Sequence, residues 1–251
     1  MFAAHALASN GVKVVEVISK KRKSHMYGAQ YLHAPIPGLA AHGTVVKYSL
    51  RGTVDQYREK VYGGGERLEV SPSVLQGYHQ AFDIRKAYDD AWNRYQNLVY
   101  NMEVKSGDID SIADEFDVVI STIPRSIVCK SLERHTFHSQ AVWAIGDASD
   151  RDQWAPVPPE VGQAGVICNG EEYPSWYRAS RVFEHATVEW PFQSKPPIPG
   201  VAEVFKPTGH SCDCYGDMPW IAFAGRYGSW EKGELSHHAY NKAELIANPR
   251  G

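Results

Sequence analysis

The pattern of hydrophobic and polar positions along the chain predicts an α/β protein. Residues 2–10 form an alanine-rich run that stops at Asn-Gly, which predicts the end of a helix. Residues 12–18 are rich in β-branched side chains and predict a buried strand. Apolar residues at helical spacing predict the best helix between 83 and 98. The apolar run at 116–123 predicts a strand of a parallel sheet covered on both faces.

The second half of the chain is β-rich up to a closing helix. The predicted strands lie at 142–145, 166–169, 187–190, 201–206 and 220–224, with a strand or short helix at 176–183 and a helix at 234–246. The first half adds a strand at 45–50, a short strand or helix at 54–62 and a short helix at 110–114.

Composition narrows the classes of function. The chain has 251 residues, of which 43% are hydrophobic and 22% charged, as is ordinary for a globular protein. A net charge of -3 argues against a general nucleic-acid binder. No stretch approaches the roughly 18 apolar residues of a membrane helix. Four cysteines make no disulfide framework, so we expect a cytoplasmic protein. From the net charge and the lack of a long apolar stretch, we expect neither nucleic acid nor membrane as a partner.

A predicted strand, a glycine-bearing turn and a helix follow one another near the C-terminus. Gly225 and Gly228 let the backbone approach a ligand closely, and Arg226 is suited to pairing with a phosphate. The same pattern occurs where a glycine turn only caps a helix. Both interpretations remain open from the residues alone.

A run of aromatic and charged residues at 176–178 is a second candidate. Tyr177 and Arg178, together with Glu189, suit a polar substrate pocket, and structural ion pairing explains them equally well.

The cysteine-bearing segment 210–214 contains residue types that ligate zinc. Its spacing is poor for a structural site and there is no second cysteine pair, even if Cys168 is included. We therefore predict no metal site, and expect Cys212 and Cys214 either to line a pocket or to pack.

Together, these segments resemble flavoproteins. The segments 116–124, 176–178 and 225–228 with the following helix resemble UDP-galactopyranose mutase and its amine-oxidase-like relatives. Over nearly its full length the chain resembles small FAD/NAD-binding oxidoreductase-like proteins of actinobacteria and their phages. The segments that carry this second resemblance are 19–21, 27–33, 142–148 and 225–238.

The resemblance implies an α/β fold with a Rossmann-like FAD-binding sheet, N-terminally truncated, and an antiparallel β-rich region on the substrate side. Residues 1–50, 100–130 and 215–251 would form the FAD/NAD(P)-binding domain, and 51–99 and 131–214 the substrate-side cap. Such proteins begin with a strand and a Gly-x-Gly-x-x-Gly loop. This sequence starts inside the helix that should follow, so we expect that strand and loop to be absent.

The resemblance also implies roles for individual residues. Ser19 and Lys20 occupy the place of the acidic residue that usually binds the adenosine ribose. Tyr177 and Arg178 would face the substrate, and with His33 they are the catalytic candidates. The implied cofactor-binding residues are Ser19, Lys20, Gly28, Ala29, Gln30, Val118, Val119, Gly225, Arg226, Tyr227, Trp230 and Gly233.

The function implied by the resemblance is an FAD-dependent oxidoreductase acting on a small molecule, with NAD(P)H as a further nucleotide. Two alternatives stay open. One is a truncated, non-catalytic protein that binds a partner or dimerises. The other is a redox-neutral flavin-dependent mutase or transferase.

Overall fold

The computed structural model describes residues 1–14, 16–20, 31–39, 42–63, 71–146, 159–218 and 220–248. These residues form seven α-helices and eleven strands. The helices are α1 (Phe2–Ser9), α2 (Val54–Tyr62), α3 (Ile84–Tyr95), α4 (Asp108–Glu115), α5 (Arg125–Val128), α6 (Gly225–Ser229) and α7 (His238–Ala247). The strands are β1 (Val17–Ser19), β2 (Gly43–Arg51), β3 (Gly77–Phe82), β4 (Val99–Asn101), β5 (Val119–Ser121), β6 (Phe137–Ile145), β7 (Gly165–Asn169), β8 (Arg178–Val182), β9 (His185–Pro191), β10 (Ala202–His210) and β11 (Ile221–Phe223).

One large mixed sheet dominates the fold. Its seven strands run in the order β10-β6-β9-β8-β7-β2-β3. Neighbouring strands are antiparallel except β2 and β7, which are parallel. The predicted α/β class with an antiparallel β-rich region is therefore confirmed at this coarse level.

Both faces of this sheet are covered, and the two coverings differ in chemistry. One face packs two tryptophans, Trp176 and Trp190, against aliphatic side chains such as Val188. The other face packs Tyr57 and Val61 of α2 over the sheet, together with other tyrosines. A capping box between Thr53 and Gln56 starts α2. Because residues alternate between faces along a strand, Arg178 and Glu189 point to the tyrosine-rich face.

Two pairs of short parallel strands lie outside the large sheet. β1 pairs with β4, and β5 pairs with β11. Ile18, Val119 and Phe223, from three of these strands, belong to one apolar cluster. The predicted strand at 12–18 shortens to Val17–Ser19, and the one at 116–123 shortens to Val119–Ser121. Val118 is 40% exposed, so the apolar run at 116–123 is not buried along its whole length.

Three helices form a separate core. Small residues on α1 let it pack closely against α3 and α7, with Ala6, Ala87 and Ala243 fully buried at the contact. Asp83 caps α3 by accepting hydrogen bonds from two backbone N–H groups. The closing helix begins at His238 rather than at 234, because the residues before it form turns. Among the described helices, none combines the length and apolar character that a bilayer crossing demands.

Some elements were resolved or revealed only by the structure. Residues 176–183 contain a strand, and 54–62 are a helix. The edge strand β3 was missed because its alternation is weak, and Tyr78 on it is exposed. The three-residue β4 was missed because it is too short to show a period.

Gly170 tests the packing of α2 on the sheet. A Cβ at this position would lie 2.5 Å from the backbone nitrogen of Tyr57 and 2.9 Å from the carbonyl oxygen of Thr53. We expect Gly170→Ala to lower the free energy of unfolding by about 1–3 kcal/mol, measured by urea denaturation. Gly209→Ala is the control, because its Cβ would meet open space. Equal stability of the two variants would contradict this packing.

Candidate functional site

The site is built on a charged pair inside the large sheet. Arg178 on β8 and Glu189 on β9 lie directly opposite one another in the antiparallel register. The Nη2 atom of Arg178 lies 2.7 Å from Oε1 of Glu189. Lys206 from β10 places its Nζ 2.9 Å from Oε1 and 2.8 Å from Oε2 of the same carboxylate. One buried carboxylate thus joins side chains from three strands.

Tyr177 completes the surroundings of Glu189. Its hydroxyl donates to Oε2 of Glu189 at 2.5 Å and accepts a hydrogen bond from Lys206 Nζ at 2.9 Å. Tyr177 is buried, so its hydroxyl serves to position the carboxylate and the lysine.

The electrostatics of this group follow from burial and pairing. Burial by itself raises the pKa of Glu189, but the charges of Arg178 and Lys206 outweigh it and hold that pKa well below its usual range. Burial lowers the pKa of Lys206 to about 8, against the opposing effect of Glu189. Glu189 is therefore ionised in any ordinary buffer.

Arg226 adds a third cation. It extends from α6, and its Nη2 atom donates to the carbonyl oxygen of Pro207 at 3.4 Å, one residue beyond Lys206 on β10. Burial and the charge of Arg178 lower the pKa of Arg226. We call Arg178, Lys206, Arg226 and Glu189 the cation cluster. Arg178 and Lys206 contact the carboxylate, and Arg226 interacts with Arg178 and Glu189 only electrostatically, so the cluster has three positive groups for one carboxylate.

Two buried donors of the cation cluster are unused within the described part of the chain. The Nε atoms of Arg178 and Arg226 are shielded from solvent and have no hydrogen-bond partner there. An unmatched buried guanidinium N–H is costly unless it meets an acceptor. Together with the excess positive charge, these donors suit an anionic ligand.

A row of rings continues from the cation cluster. The ring centroids of His79 and Tyr48 are 4.7 Å apart, as are those of Tyr31 and His33, and the two tyrosine hydroxyls are hydrogen-bonded to each other. The row continues to His237, whose ring centroid lies 6.5 Å from that of His33. We call these residues the ring row.

The electrostatics of the ring row link it to the cation cluster. Burial lowers the pKa of His33, and the charge of Arg178 lowers it further. Burial also lowers the pKa of His237 to about 4, and its Nδ1 atom has no partner among the described residues. Neutral imidazoles are thus held beside a positively charged cluster.

The structure places the α6 candidates against β10 and β6, the last two strands of the large sheet. Tyr227 donates through its hydroxyl to the carbonyl oxygen of Phe205 on the edge strand β10 at 2.9 Å, and Arg226 reaches Pro207 on the same strand. Trp230 donates from Nε1 to the carbonyl oxygen of His138 on β6 at 2.9 Å. Tyr227 and Arg226 therefore occupy carbonyl groups of the edge strand, and of these three side chains Arg226 keeps an unmatched donor.

The three glycines in and near α6 differ in backbone conformation and in the space around them. Gly225 has a φ of +71°, a conformation that favours glycine, and is buried at the start of α6. Gly228 packs against the end of β5, where a Cβ would lie 2.5 Å from the carbonyl oxygen of Ser121. Gly233 is exposed, and a Cβ there would contact nothing within 4 Å.

The remaining sequence candidates lie at the short parallel strands or outside the described residues. Ser19 ends β1, and the adjacent Lys20 pairs with Glu103 at 2.7 Å. Val119 lies within β5 and Val118 directly before it. The candidates Gly28, Ala29 and Gln30 fall outside the described residues. Sequence reasoning missed Lys206 and Tyr48, since neither belongs to a recognisable motif.

Comparisons with known proteins give structural similarity only at a low level. No known protein family matches the chain, and no curated protein matches it. It is similar to a crystal structure of reduced UDP-galactopyranose mutase, with a TM-score of 0.38 and 15% identity over 73% of this chain and 54% of that one. It is also similar to a tetrameric form of 2-methyl-3-hydroxypyridine-5-carboxylic acid oxygenase, with a TM-score of 0.43 and 12% identity over 99% of this chain and 84% of that one. The chain spans about half the length of the mutase, and the chemistry of its site is argued from its own residues.

Glu189 is the residue whose loss we expect to destabilise the cation cluster most. Glu189→Gln leaves the partly buried Arg178 and Lys206 without a counter-charge, so we expect a loss of about 2–4 kcal/mol in the free energy of unfolding, measured by urea denaturation. Adding Lys206→Met should restore part of that loss, because one uncompensated charge is removed. Glu184→Gln, at the exposed turn between β8 and β9, is the control. A Glu189→Gln variant as stable as this control would contradict the role of the carboxylate.

The lowered pKa of His237 predicts that the folded protein loses stability at acid pH. Its pKa falls from the ordinary 6.5 to about 4 on folding, because burial and the charges of His238 and His33 oppose protonation. The stability that its neutral form contributes is fully present above about pH 6.5 and is lost as the pH falls towards 4. We expect His237→Gln to lose less thermal stability than the unmodified protein between neutral pH and this range. The exposed His138→Gln is the control, and equal losses in all three proteins would contradict the assignment.

Proposed function

We propose that the chain is a flavin-dependent oxidoreductase that acts on a small anionic substrate. The observation that carries the proposal is the cation cluster, in which two buried arginine Nε donors have no partner among the described residues. Anionic groups of the cofactor and of the substrate that accept from these donors would also balance the excess positive charge. The resemblance of the sequence to flavoproteins identifies FAD as the cofactor to test.

The residues on α6 fit one part of FAD. Arg226 lies in α6, three residues after the end of β11, at the carboxyl end of a parallel strand pair, where ligands of α/β sheets bind. Its unmatched Nε suits a pyrophosphate oxygen. Ser121, which ends the neighbouring β5, has a buried hydroxyl without a partner in the described part of the chain. Both groups are donors that an anionic cofactor would satisfy.

Ser19 and Lys20 are proposed to lie near the adenosine ribose. Lys20 already pairs with Glu103, and this pair places a carboxylate beside the end of β1. A carboxylate is the group that accepts ribose hydroxyls in dinucleotide sites. In this proposal Glu103 supplies the acidic group that the sequence lacks directly after β1.

Arg178 is proposed to bind the substrate. It belongs to the large sheet, which is the substrate side of the proposed arrangement, and its side chain remains 25% exposed. Its pairing with Glu189 fixes the guanidinium, so that Nε is presented in a constant orientation. A carboxylate on the substrate would match this donor.

FAD would supply the redox chemistry when bound, and the chain would bind, orient and shield the reactants. His33 is proposed as the group that exchanges a proton with the substrate, since burial and the charge of nearby groups, Arg178 among them, keep it neutral and able to accept one. NAD(P)H is proposed as the source of electrons. The division into an FAD/NAD(P)-binding domain and a substrate-side cap is proposed along with this function.

A titration with FAD tests the proposal. We expect the purified chain to bind FAD, with quenching of flavin fluorescence and retention of yellow colour after dialysis. Arg226→Gln should weaken binding by about 10- to 100-fold, because it removes a charged hydrogen-bond donor. Arg181→Gln is the control. Arg181 is on β8 like Arg178, but its side chain faces the side of the sheet away from the cation cluster. Protein that stays colourless with excess FAD, or equal binding by both variants, would overturn the proposal.

A further inference from the structure

A compact group of sulfur and nitrogen atoms lies beyond the paired ends of β6 and β10, and it contains no residue of the cation cluster or the ring row. It consists of Cys129, His135, Cys212 and Cys214, which we call the Cys3His cluster. One donor atom from each residue lies within 4.8 Å of all the others. Cys168, which the sequence grouped with Cys212 and Cys214, lies instead in the core beside β2 and α2.

The sheet itself brings the four residues together. β6 and β10 are antiparallel neighbours whose pairing ends at Phe137 and His210. Beyond that end, the backbone nitrogen of Ser211 donates to the carbonyl oxygen of Thr136 at 3.1 Å, so the two backbone segments stay adjacent. His135 and Cys212 are the next residues on either side. Cys129 comes from the end of α5.

The distances match the edges of a zinc tetrahedron. The sulfur of Cys129 lies 3.7 Å from that of Cys212 and 3.8 Å from that of Cys214. The Nδ1 atom of His135 lies 3.2 Å from the sulfur of Cys129 and 3.5 Å from that of Cys214. Zinc–sulfur bonds of about 2.3 Å and zinc–nitrogen bonds of about 2.0 Å, at tetrahedral angles, give edges of about 3.8 Å and about 3.5 Å.

A disulfide does not explain this arrangement. Sulfur atoms of a disulfide are about 2.05 Å apart, and all four cysteines of the chain are free. Three thiols and an imidazole, converging on one point, have little else to gain from each other, because thiols form only weak hydrogen bonds.

The surroundings of His135 are those of a metal ligand. Its second ring nitrogen, Nε2, lies 3.1 Å from Oδ1 of Asp213. A carboxylate that holds the outer nitrogen fixes the ring orientation and turns the other nitrogen towards the metal. Asp213 lies between the two cysteines in sequence, so the same short loop supplies two sulfur ligands and this positioning residue.

Charge and packing also fit. Three thiolates with Zn²⁺ carry a net negative charge, and Arg125 donates to the carbonyl oxygen of Cys212 at 3.2 Å. Tyr215 donates to the carbonyl oxygen of Val128 at 2.7 Å, which holds the loop after Cys214 against the residue before Cys129. Cys129 and Cys212 are buried.

We infer that Cys129, His135, Cys212 and Cys214 form a structural zinc site. Four protein ligands complete the tetrahedron, which is the pattern of structural rather than catalytic zinc. The ion would join α5, the start of β6 and the loop after β10. This assignment replaces the expectation from the sequence that no metal site is present, and it is independent of the proposed flavin function.

Metal analysis of the intact protein is the first test. We expect about one zinc per chain after purification, retained on dialysis without chelator. Replacement by Co²⁺ should give the intense visible absorption of a tetrahedral site and a sulfur-to-cobalt charge-transfer band. A protein without bound zinc, or with cobalt absorption typical of six oxygen ligands, would overturn the assignment.

Two sets of variants localise the ion. Cys212→Ala and His135→Gln should lose the zinc, whereas Cys168→Ala and His138→Gln should keep it. Asp213→Asn changes an exposed side chain and keeps all four zinc ligands. We expect this variant to bind zinc about 10- to 100-fold more weakly in a chelator competition. Asp217→Asn, in the same loop and exposed, is its control. If the ligand variants do not fold, the Asp213→Asn and Asp217→Asn pair decides, and equal zinc affinity in these two proteins would overturn the assignment.

Discussion

The buried carboxylate of Glu189 is the constraint on which the interior of the large sheet depends. It lies on β9 and contacts Arg178 of β8 and Lys206 of β10, so it ties three strands together. Placing several charges in a protein interior costs free energy unless each is paired and hydrogen-bonded. Here one carboxylate accepts from two cations and a tyrosine hydroxyl. That pairing leaves positive charge in excess, and the same excess makes the site suited to an anion.

Much of the fold is visible in the sequence because it depends on local periodicity. The helix at 83–98 and the strands of the second half were predicted close to their observed positions, since each has enough residues to show a period. The three-residue strands were predicted less well: β1, β5 and β11 are shorter than the apolar runs that predicted them, and β4 was missed. The position of β4 is set by parallel pairing with β1, which local sequence does not encode.

The candidate site was predictable in part of its members but not in its arrangement. The sequence indicated Tyr177, Arg178 and Arg226 as important. It left open whether Arg178 and Glu189 form an ion pair or a substrate pocket, because the answer depends on the register of β8 against β9. Lys206 gave no signal at all, since a lone lysine in a predicted strand is usually exposed. The Cys3His cluster was missed for a similar reason: His135 and Cys212 are distant in sequence and are brought together by the pairing of β6 with β10.

β10 connects the two features. It carries Lys206 into the cation cluster, offers its free edge to Arg226 and Tyr227, and ends two residues before Cys212. A β-bulge between Pro207 and Gly209 separates the half that faces the cations from the half that leads to the cysteines. Bulges bend a strand and redirect its side chains, and an edge strand is where proline is tolerated. An ion held at the end of this strand would fix the loop that leads to β11 and α6, and so the position of Arg226. Rigid support of this kind is what a binding site needs if its donors are to keep one geometry.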